Sequence, residues 1–312
     1  MLRKFFLAAA LSLALPGLAS ANDKLTVMLE WFVNPDHAPM VVAQSLGLFE
    51  KEGLDVTLVP PSDPSMVPRM VASGKADIGI HYQPNLYLDH DAGVDIVRFG
   101  TLVSTPLNTL MTLADGPVKT LADLKGKKIG FSVAGIEDAL VATMLKDAGL
   151  TRDDITLVNV NFALTQSLMS GQVDATIGAF RNFELTQMKL DGADGKAFYP
   201  EENGVPAYDE LIYVTRRDML SDDRLPRFLD AVEQAVIYIT NHPDAAWQLF
   251  AKAYPDLDDA LNHQAFMDSI ARFAKRPAAL DAGRYQRFGD FMVENGLIKT
   301  APEVSDIAIE LP

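Results

Sequence analysis

The feature of this sequence that most restricts its fold is an alternation of short apolar runs with longer amphipathic patterns, which starts at Lys24. The apolar runs occupy residues 25–29, 54–59, 76–80 and 94–103, and helical patterns, with apolar residues at wider spacing, occupy residues 38–52 and 66–73. Short apolar runs predict buried strands, and the wider spacing predicts helices. Because strands that alternate with helices form sheets covered on both faces, we expect an α/β fold with parallel sheets.

A second series of strands and helices begins near Thr109 and repeats the design of the first. The segment Ser73–Asp77 ends a helical pattern in the first series, and Ser170–Asp174 ends the corresponding pattern in the second. Both segments read Ser-Gly-x-x-Asp and lead into a predicted strand. A glycine just after the last helical residue is a common helix stop. The recurrence predicts two lobes of one design.

The chain after residue 215 carries four more helical patterns, which we place on the first lobe. They cover residues 224–241, 243–253, 259–274 and 284–295. We predict that lobe one comprises residues 22–107 and 213–312, and that lobe two comprises residues 108–212. Since open α/β sheets bind ligands beyond the carboxyl ends of their strands, we expect the ligand in the cleft between the lobes.

The N-terminus has the pattern of a secretory signal peptide, which we assign to residues 1–21. Arg3 and Lys4 precede an apolar run at 5–15, and Ala-Ser-Ala at 19–21 supplies the small residues of a cleavage site. The run is shorter than the roughly 20 residues that cross a bilayer. The chain has no cysteine, which excludes a lipid-bearing cysteine, a disulfide and a thiolate nucleophile. We therefore expect a free protein in the periplasm.

The charge of the chain argues against polyanionic partners. It carries 42 acidic and 27 basic side chains, a formal net charge of −15 at pH 7. Such a surface disfavours nucleic acids and anionic lipids, although the same charge also serves solubility alone. We expect no nucleic-acid partner and a monomeric protein.

The sequence lacks the motifs of an enzyme. Its five histidines show no metal-ligand spacing. The Gly-Lys-Lys at 126–128 lacks the upstream glycine and the Ser or Thr of a phosphate-binding loop, and no Gly-x-Ser-x-Gly occurs. We predict a binding protein with no catalytic residue, no metal site and no cofactor.

Aromatic and polar side chains follow the first predicted strand. Trp31 and Phe32 come directly after it and precede a proline, so they predict a stacking surface for a flat ligand, or else a plug of the lobe core. Asn34 and His37 offer hydrogen bonds to a polar ligand, but they also suit a turn and a helix cap. The first candidate patch is therefore aromatic and polar.

A second patch, Tyr82 and Gln83, follows the predicted strand at 76–80 in the same way. Two aromatic and polar clusters at one sheet edge are typical of a ligand pocket, although a position on the lobe surface is equally compatible. In lobe two, Ser132 lies between a strand and a helix start, where free N–H groups can receive a carbonyl or an anion. Glu137 and Asp138 come next, and we interpret them as first-turn carboxylates that favour the helix dipole.

The segment Phe180–Glu184 follows the last strand of the second series, and we take Phe180, Asn182 and Glu184 from it as ligand contacts. A carboxylate directed into a closed cleft is costly unless the ligand returns donors or positive charge. This favours an amine, an amidine or an aminopyrimidine over a sulfonate or a nitrate. Alternatively, Arg181 and Glu184 form an ion pair on a helix surface.

The sequence resembles the periplasmic solute-binding proteins of ABC importers, in the thiamine-precursor branch that also includes eukaryotic pyrimidine synthases. The resemblance runs across most of residues 24–220. It is most specific in four segments, Leu29–His37, Pro60–Pro64, Gly178–Glu184 and Val205–Leu211.

The resemblance implies a two-lobed type II periplasmic binding-protein fold and delivery of the ligand to an ABC permease in the inner membrane. The implied ligand is a thiamine pyrimidine precursor, either N-formyl-4-amino-5-aminomethyl-2-methylpyrimidine or a related hydroxymethylpyrimidine. Its ring would lie against aromatic side chains, and Glu184 would accept from its amine. Arg181 differs from the aromatic residue expected after Phe180, and the cysteine-rich motif of the synthases is missing.

Two other functions stay open at this point. One is a receptor for a sulfonate, a nitrate or another small solute, since many solute-binding proteins share one fold. The other is a periplasmic enzyme that acts on a pyrimidine.

Overall fold

The computed structural model describes residues 22–311, apart from the side chains of Ile136 and Asp138. The predicted signal peptide, residues 1–21, lies outside this range. No helix within the described residues has the length and apolar character needed to cross a membrane. The strands of this range are β1 (Asp23–Met28), β2 (Leu54–Val59), β3 (Ile78–His81), β4 (Ile96–Val103), β5 (Asn108–Leu113), β6 (Lys128–Phe131), β7 (Thr156–Asn159), β8 (Ala175–Phe180), β9 (Gly195–Phe198) and β10 (Leu211–Arg216).

These strands form two five-stranded sheets with matching designs. The first, which we call sheet A, has the order β2-β1-β3-β10-β4, and the second, sheet B, has the order β7-β6-β8-β5-β9. In each sheet three neighbouring strands are parallel, and the fourth, β10 in sheet A and β5 in sheet B, runs antiparallel to both its neighbours. The two-lobed α/β design predicted from the sequence is confirmed.

The prediction that the sheets are wholly parallel is wrong. The antiparallel strand of each sheet is the one that enters from the other sheet: β5 follows β4 across the cleft, and β10 returns from sheet B. A strand that enters from the cleft must run away from it, whereas the parallel strands run towards it. The crossings lie between Val103 and Asn108 and between Phe198 and Leu211; the lobe boundaries at 107/108 and 212/213 stay a prediction.

The repeated Ser-Gly-x-x-Asp segment has the same structural role in both sheets. Asp77 accepts a hydrogen bond from the backbone N–H of Thr26 at 2.8 Å, and its own N–H donates to the Thr26 carbonyl at 3.0 Å. Asp174 makes the equivalent pair with Lys128, at 2.9 and 2.8 Å. Each aspartate therefore fixes the start of the central strand of its sheet, β3 or β8, against the neighbouring strand, β1 or β6.

The helices largely follow the sequence patterns, with one break. Residues 38–52, predicted as one helix, form two, because Gly47 adopts a left-handed φ of 65° that ends the first. A helix at 83–91 and the strand β9 were not predicted. The helices are α1 (Ala38–Ser45), α2 (Leu48–Lys51), α3 (Val67–Ala72), α4 (Gln83–Asp91), α5 (Ile136–Lys146), α6 (Leu164–Met169), α7 (Glu184–Leu190), α8 (Arg224–Asn241), α9 (Pro243–Ala253), α10 (Ala260–Ser269), α11 (Ala282–Glu294) and α12 (Val304–Ile307).

The C-terminal helices pack on sheet A. The buried side chains of α8 and α9 share one core with α1 and with β1, and α11 packs against α4 through Tyr285 and Phe288. Sheet B has its own cores beneath α5 and α6. Each sheet therefore has a rigid apolar support, and the loops at the carboxyl ends of the strands lie between the two.

Candidate ligand-binding site

A cavity of about 340 Å³ lies where the two sheets face each other. Most residues that line it follow the carboxyl ends of β1, β3, β6, β7 and β8. Asn108, at the start of β5, and Glu210, just before β10, add to the lining at the two crossings, and Leu257 and Asn262 add to it from the C-terminal part of the chain. Its volume falls in the range of roughly 300–1,000 Å³ that is usual for small-molecule sites. The cavity is at the position expected from the sequence.

An aromatic cluster of Trp31, Phe32 and Phe162 closes one side of the cavity. The Phe162 ring centroid lies 4.6 Å from that of Trp31 and 4.3 Å from that of Phe32. Trp31 and Phe32 follow β1, whereas Phe162 follows β7, so the cluster joins the two lobes. Phe32 is 52% exposed, which is unusual for a large aromatic side chain unless it meets a partner. Phe162 was not predicted, although it follows a strand just as Trp31 does.

Five carboxyl side chains line the cavity, and among the described residues no Lys, Arg or His lines it. The nearby basic side chains contact acids: His37 contacts Glu30, and Arg181 contacts Glu201, which lies outside the lining. The described residues also contain no group of three or more His, Asp or Glu side chains that could hold a metal ion. The cavity therefore favours a ligand that offers N–H donors. The five carboxyl groups are those of Glu30, Asp36, Glu137, Glu184 and Glu210.

Burial raises the pKa of four of these groups. It raises the pKa of Asp36 to about 6, that of Glu210 to about 7 and that of Glu184 to about 8. It also raises the pKa of Glu137 well above the ordinary value, and the nearby Glu210 adds to the effect. No cation lowers the pKa of Glu184, so N–H donors from a ligand would stabilise its ionised form.

Glu184 begins α7, and its carboxyl group turns back towards the end of β8. Oε2 accepts a hydrogen bond from the Phe180 N–H at 2.6 Å. The side chain keeps some accessible surface because it faces the cavity, yet the surrounding protein desolvates it. The alternative prediction, an ion pair between Arg181 and Glu184, is wrong, because Arg181 donates to both oxygens of Glu201, at 2.5 and 2.9 Å.

Glu137 also lines the cavity, which corrects its interpretation as a helix-dipole residue alone. It lies in the first turn of α5, and Oε2 accepts from the Val133 N–H at 3.0 Å. Ser132 lines the cavity beside it, and its hydroxyl donates to the Asn161 carbonyl. The sequence shows an acid at a helix start but not the direction in which its carboxyl group turns.

Three predicted ligand contacts lie outside the cavity lining, because the protein itself uses their polar atoms. His37 is fully buried, and Nε2 lies 3.0 Å from both oxygens of Glu30. Gln83 accepts from the Asp209 N–H at 2.8 Å. Asn182 donates to Asp36 at 2.7 Å and to Ser269 at 2.8 Å. These side chains hold the residues of the lining in place.

The other seven predicted contacts line the cavity. Their roles towards a ligand stay predictions. They are Trp31, Phe32, Asn34, Tyr82, Ser132, Phe180 and Glu184.

The sequence also matches a known protein family over most of its length. The model of the family described as NMT1/THI5 like matches residues 34–246. The chain belongs to this family. A Haemophilus influenzae protein whose name connects it with thiamine biosynthesis is 46% identical over 312 residues, which cover 100% of this chain and 99% of that protein.

Two further members of the family differ in the activity that their names give. The formylaminopyrimidine-binding protein of Halalkalibacterium halodurans is 32% identical, over 72% of this chain and 69% of that protein. The 4-amino-5-hydroxymethyl-2-methylpyrimidine phosphate synthase of Aspergillus parasiticus is 28% identical, over 82% of this chain and 78% of that protein. The family therefore contains proteins named as binders and proteins named as enzymes.

Among solved structures, the alkanesulfonate-binding protein of Xanthomonas axonopodis pv. citri bound to MOPS matches with a TM-score of 0.73. The match covers 93% of this chain and 99% of that protein at 19% identity. At this identity the likeness shows the fold alone, which is that of the periplasmic binding proteins.

Proposed function

We propose that this protein is the substrate-binding component of an ABC importer and that it captures a thiamine pyrimidine precursor. The proposed ligand is N-formyl-4-amino-5-aminomethyl-2-methylpyrimidine or a related hydroxymethylpyrimidine. The observation that carries the proposal is the cavity itself, which combines an aromatic cluster with five carboxyl groups and no cation in its described lining. The name of the Halalkalibacterium halodurans relative supports the same ligand class.

An aminopyrimidine complements this lining in shape and in hydrogen bonding. Its flat ring can lie against Trp31 or Phe162, and such aromatic contacts contribute about 0.5–1.5 kcal/mol beyond the burial of area. Its amino group can donate to Glu184, and a hydrogen bond to a charged acceptor is stronger than one between neutral groups. The N–H groups of the ligand would thus complement the carboxyl acceptors of the lining.

A sulfonate or a nitrate fits the lining poorly, although the fold is shared with an alkanesulfonate-binding protein. Either anion offers acceptors and a negative charge, and it would meet carboxyl groups with no cation in the described lining. Burying an unpaired anion among carboxylates is costly. The charge of the cavity therefore favours the pyrimidine.

The protein is proposed to bind the pyrimidine without converting it. The chain has no cysteine, whereas the synthases that it resembles depend on a cysteine-rich motif. We further propose that it is a monomer exported to the periplasm, and that ligand contacts with both lobes favour a closed form which an inner-membrane permease recognises.

Native mass spectrometry of freshly purified protein, followed by calorimetric titration, tests the proposal. The titration panel is N-formyl-4-amino-5-aminomethyl-2-methylpyrimidine, 4-amino-5-hydroxymethyl-2-methylpyrimidine, thiamine, riboflavin and MOPS. We expect the two precursors to bind most tightly and to be recovered unchanged. Tighter binding of MOPS overturns the proposed ligand, and recovery of a chemically altered pyrimidine overturns the binding role.

A further inference from the structure

Glu137 has a position in the cavity that differs from that of the other carboxyl groups. It is 3% exposed, lines the cavity and is held by the Val133 N–H at 3.0 Å. The titratable groups that act on it or feel its charge are Glu210 and Tyr82, both of which also line the cavity. Main-chain N–H groups would thus stabilise a negative charge on Glu137, whereas the nearby carboxyl group of Glu210 would destabilise it.

Gly178 provides the space that brings Glu137 into the lining. Its φ of 96° lies in the left-handed region, and a Cβ at this position would collide with Oε1 of Glu137. The Gly178 N–H donates to the Asn108 side chain at 3.0 Å, which fixes the backbone there. The bare Cα of Gly178 therefore allows the carboxyl group to lie against β8.

Glu137 and Glu184 both line the cavity around the end of β8. Glu137 lies against this strand at Gly178, and Glu184 accepts a hydrogen bond from the N–H of Phe180. The cavity has a volume of about 340 Å³, so a single substituted ring that fills it can contact both carboxyl groups.

We propose that Glu137 determines ligand specificity as a neutral carboxylic acid, which donates its proton to an unprotonated ring nitrogen while Glu184 accepts an N–H from the same ligand. A protonated carboxyl group has one O–H donor, and an ionised one has none. Glu137 is 3% exposed, the described lining offers it no cation, and Glu210 is the carboxyl group that acts on it, so ionising Glu137 beside an ionised Glu210 would bring two like charges together, which is unfavourable. The pair therefore selects a neutral heterocycle with a lone pair and an amine, and disfavours a purely cationic amine.

This inference rests on the proposed function, and two variants of Glu137 test it. Glu137→Gln keeps a donor and an acceptor, whereas Glu137→Met has similar length and offers neither. Both are titrated calorimetrically with 4-amino-5-hydroxymethyl-2-methylpyrimidine near neutral pH, in two buffers of different ionisation enthalpy, so that each titration gives an affinity and a number of protons released. Thermal unfolding of each variant shows whether it is folded.

We expect Glu137→Gln to bind within about threefold of the wild type and to release the same number of protons, and Glu137→Met to bind at least about tenfold more weakly. Proton release that falls by about one in Glu137→Gln overturns the inference, because Glu137 would then ionise on binding. Wild-type affinity in Glu137→Met overturns it too. If Glu137→Met does not fold, the proton count of Glu137→Gln decides. Failure of the wild type to bind the pyrimidine contradicts the proposed function instead.

Discussion

The two lobes share a strand order but hold their cavity carboxyl groups differently. After the strands of sheet A, Glu30 is bonded to His37, and Asp36 accepts from the Ser269 hydroxyl at 2.8 Å. After the strands of sheet B, the hydrogen bonds of the described residues give Glu137 and Glu184 main-chain N–H donors. Side-chain partners hold these two acids of sheet A, whereas main-chain partners hold those of sheet B. The same scaffold thus positions its cavity carboxyl groups in two different ways.

The largest expected effect is a dependence of the free energy of unfolding on pH in the ligand-free protein. Burial raises the pKa of Asp36 to about 6 and that of Glu184 to about 8, so both hold a proton more tightly in the folded state. Their contribution to stability is complete below the unfolded pKa values of about 4 and is lost as pH rises through each folded value. We expect the free energy of unfolding to fall between about pH 5 and pH 8, and constant stability in denaturant titrations would contradict this.

Two variants divide this pH dependence between the lobes. The free energy of unfolding falls in two parts as pH rises. Asp36→Asn is expected to remove the part of this fall that is complete near pH 6, and Glu184→Gln is expected to remove the part that extends to about pH 8. If Asp36→Asn removes the upper part, the assignment of the two groups is reversed.

The next largest effect is that of Glu184→Gln on ligand affinity. The variant loses the ionised acceptor for the ligand's amine, so affinity for the aminopyrimidine should fall by roughly 1.5–3 kcal/mol in calorimetric titration. Glu202→Gln is the matched control, because Glu202 is exposed and does not line the cavity. Unchanged affinity in Glu184→Gln would remove this residue from the site.

Asn182→Ala is expected to have a smaller effect on affinity, about 1–2 kcal/mol. Asn182 follows β8 and donates to Asp36 after β1 and to Ser269 in α10, so it links the lobes without lining the cavity. Its loss should weaken all ligands of the titration panel by the same factor. A loss confined to one ligand would instead indicate direct contact, as the sequence suggested.

The smallest expected effect tests the equivalence of the two sheets. Asp77→Ala and Asp174→Ala each remove a carboxyl acceptor for a main-chain N–H, of Thr26 in β1 and of Lys128 in β6, so each should lower the free energy of unfolding by about 1 kcal/mol. Denaturant titrations of the two variants measure this. A difference of more than about 2 kcal/mol would show that the repeated segment supports the lobes unequally.

The sequence predicts those helices and strands whose apolar pattern runs through the whole element and depends on no residue elsewhere in the chain. The bounds of β2, α8 and α9 agree residue for residue with the sequence patterns. In contrast, β9 was missed because it is a half-buried edge strand of four residues, Gly-Lys-Ala-Phe, which pairs with β5 alone. The antiparallel direction of β5 and β10 was missed because it depends on the path of the chain between the sheets.

The aromatic part of the site could be predicted, and much of its carboxyl part could not. Trp31 and Phe32 follow a strand, which a pattern reveals. Glu210 lines the cavity because its carboxyl group accepts from N–H groups about 100 positions earlier in the chain, and no local pattern encodes this. His37 was misplaced because a histidine in a loop and one bonded to a buried glutamate look alike in sequence.

Glu210 has a mechanical consequence as well as a chemical one. Its Oε2 accepts from the Leu107 N–H at 2.6 Å and from the Asn108 N–H at 2.9 Å, so one side chain fastens both segments that connect the lobes. Because this carboxyl group joins the two connecting segments, they can move only as one unit. We therefore expect the lobes to turn about a single hinge axis that passes close to the Glu210 carboxyl group. Slow hydrogen exchange at Leu107 and Asn108, with and without ligand, is the expected signature. If this expectation holds, the hinge forms part of the cavity, and the carboxyl group about which the lobes turn lies in reach of a bound ligand.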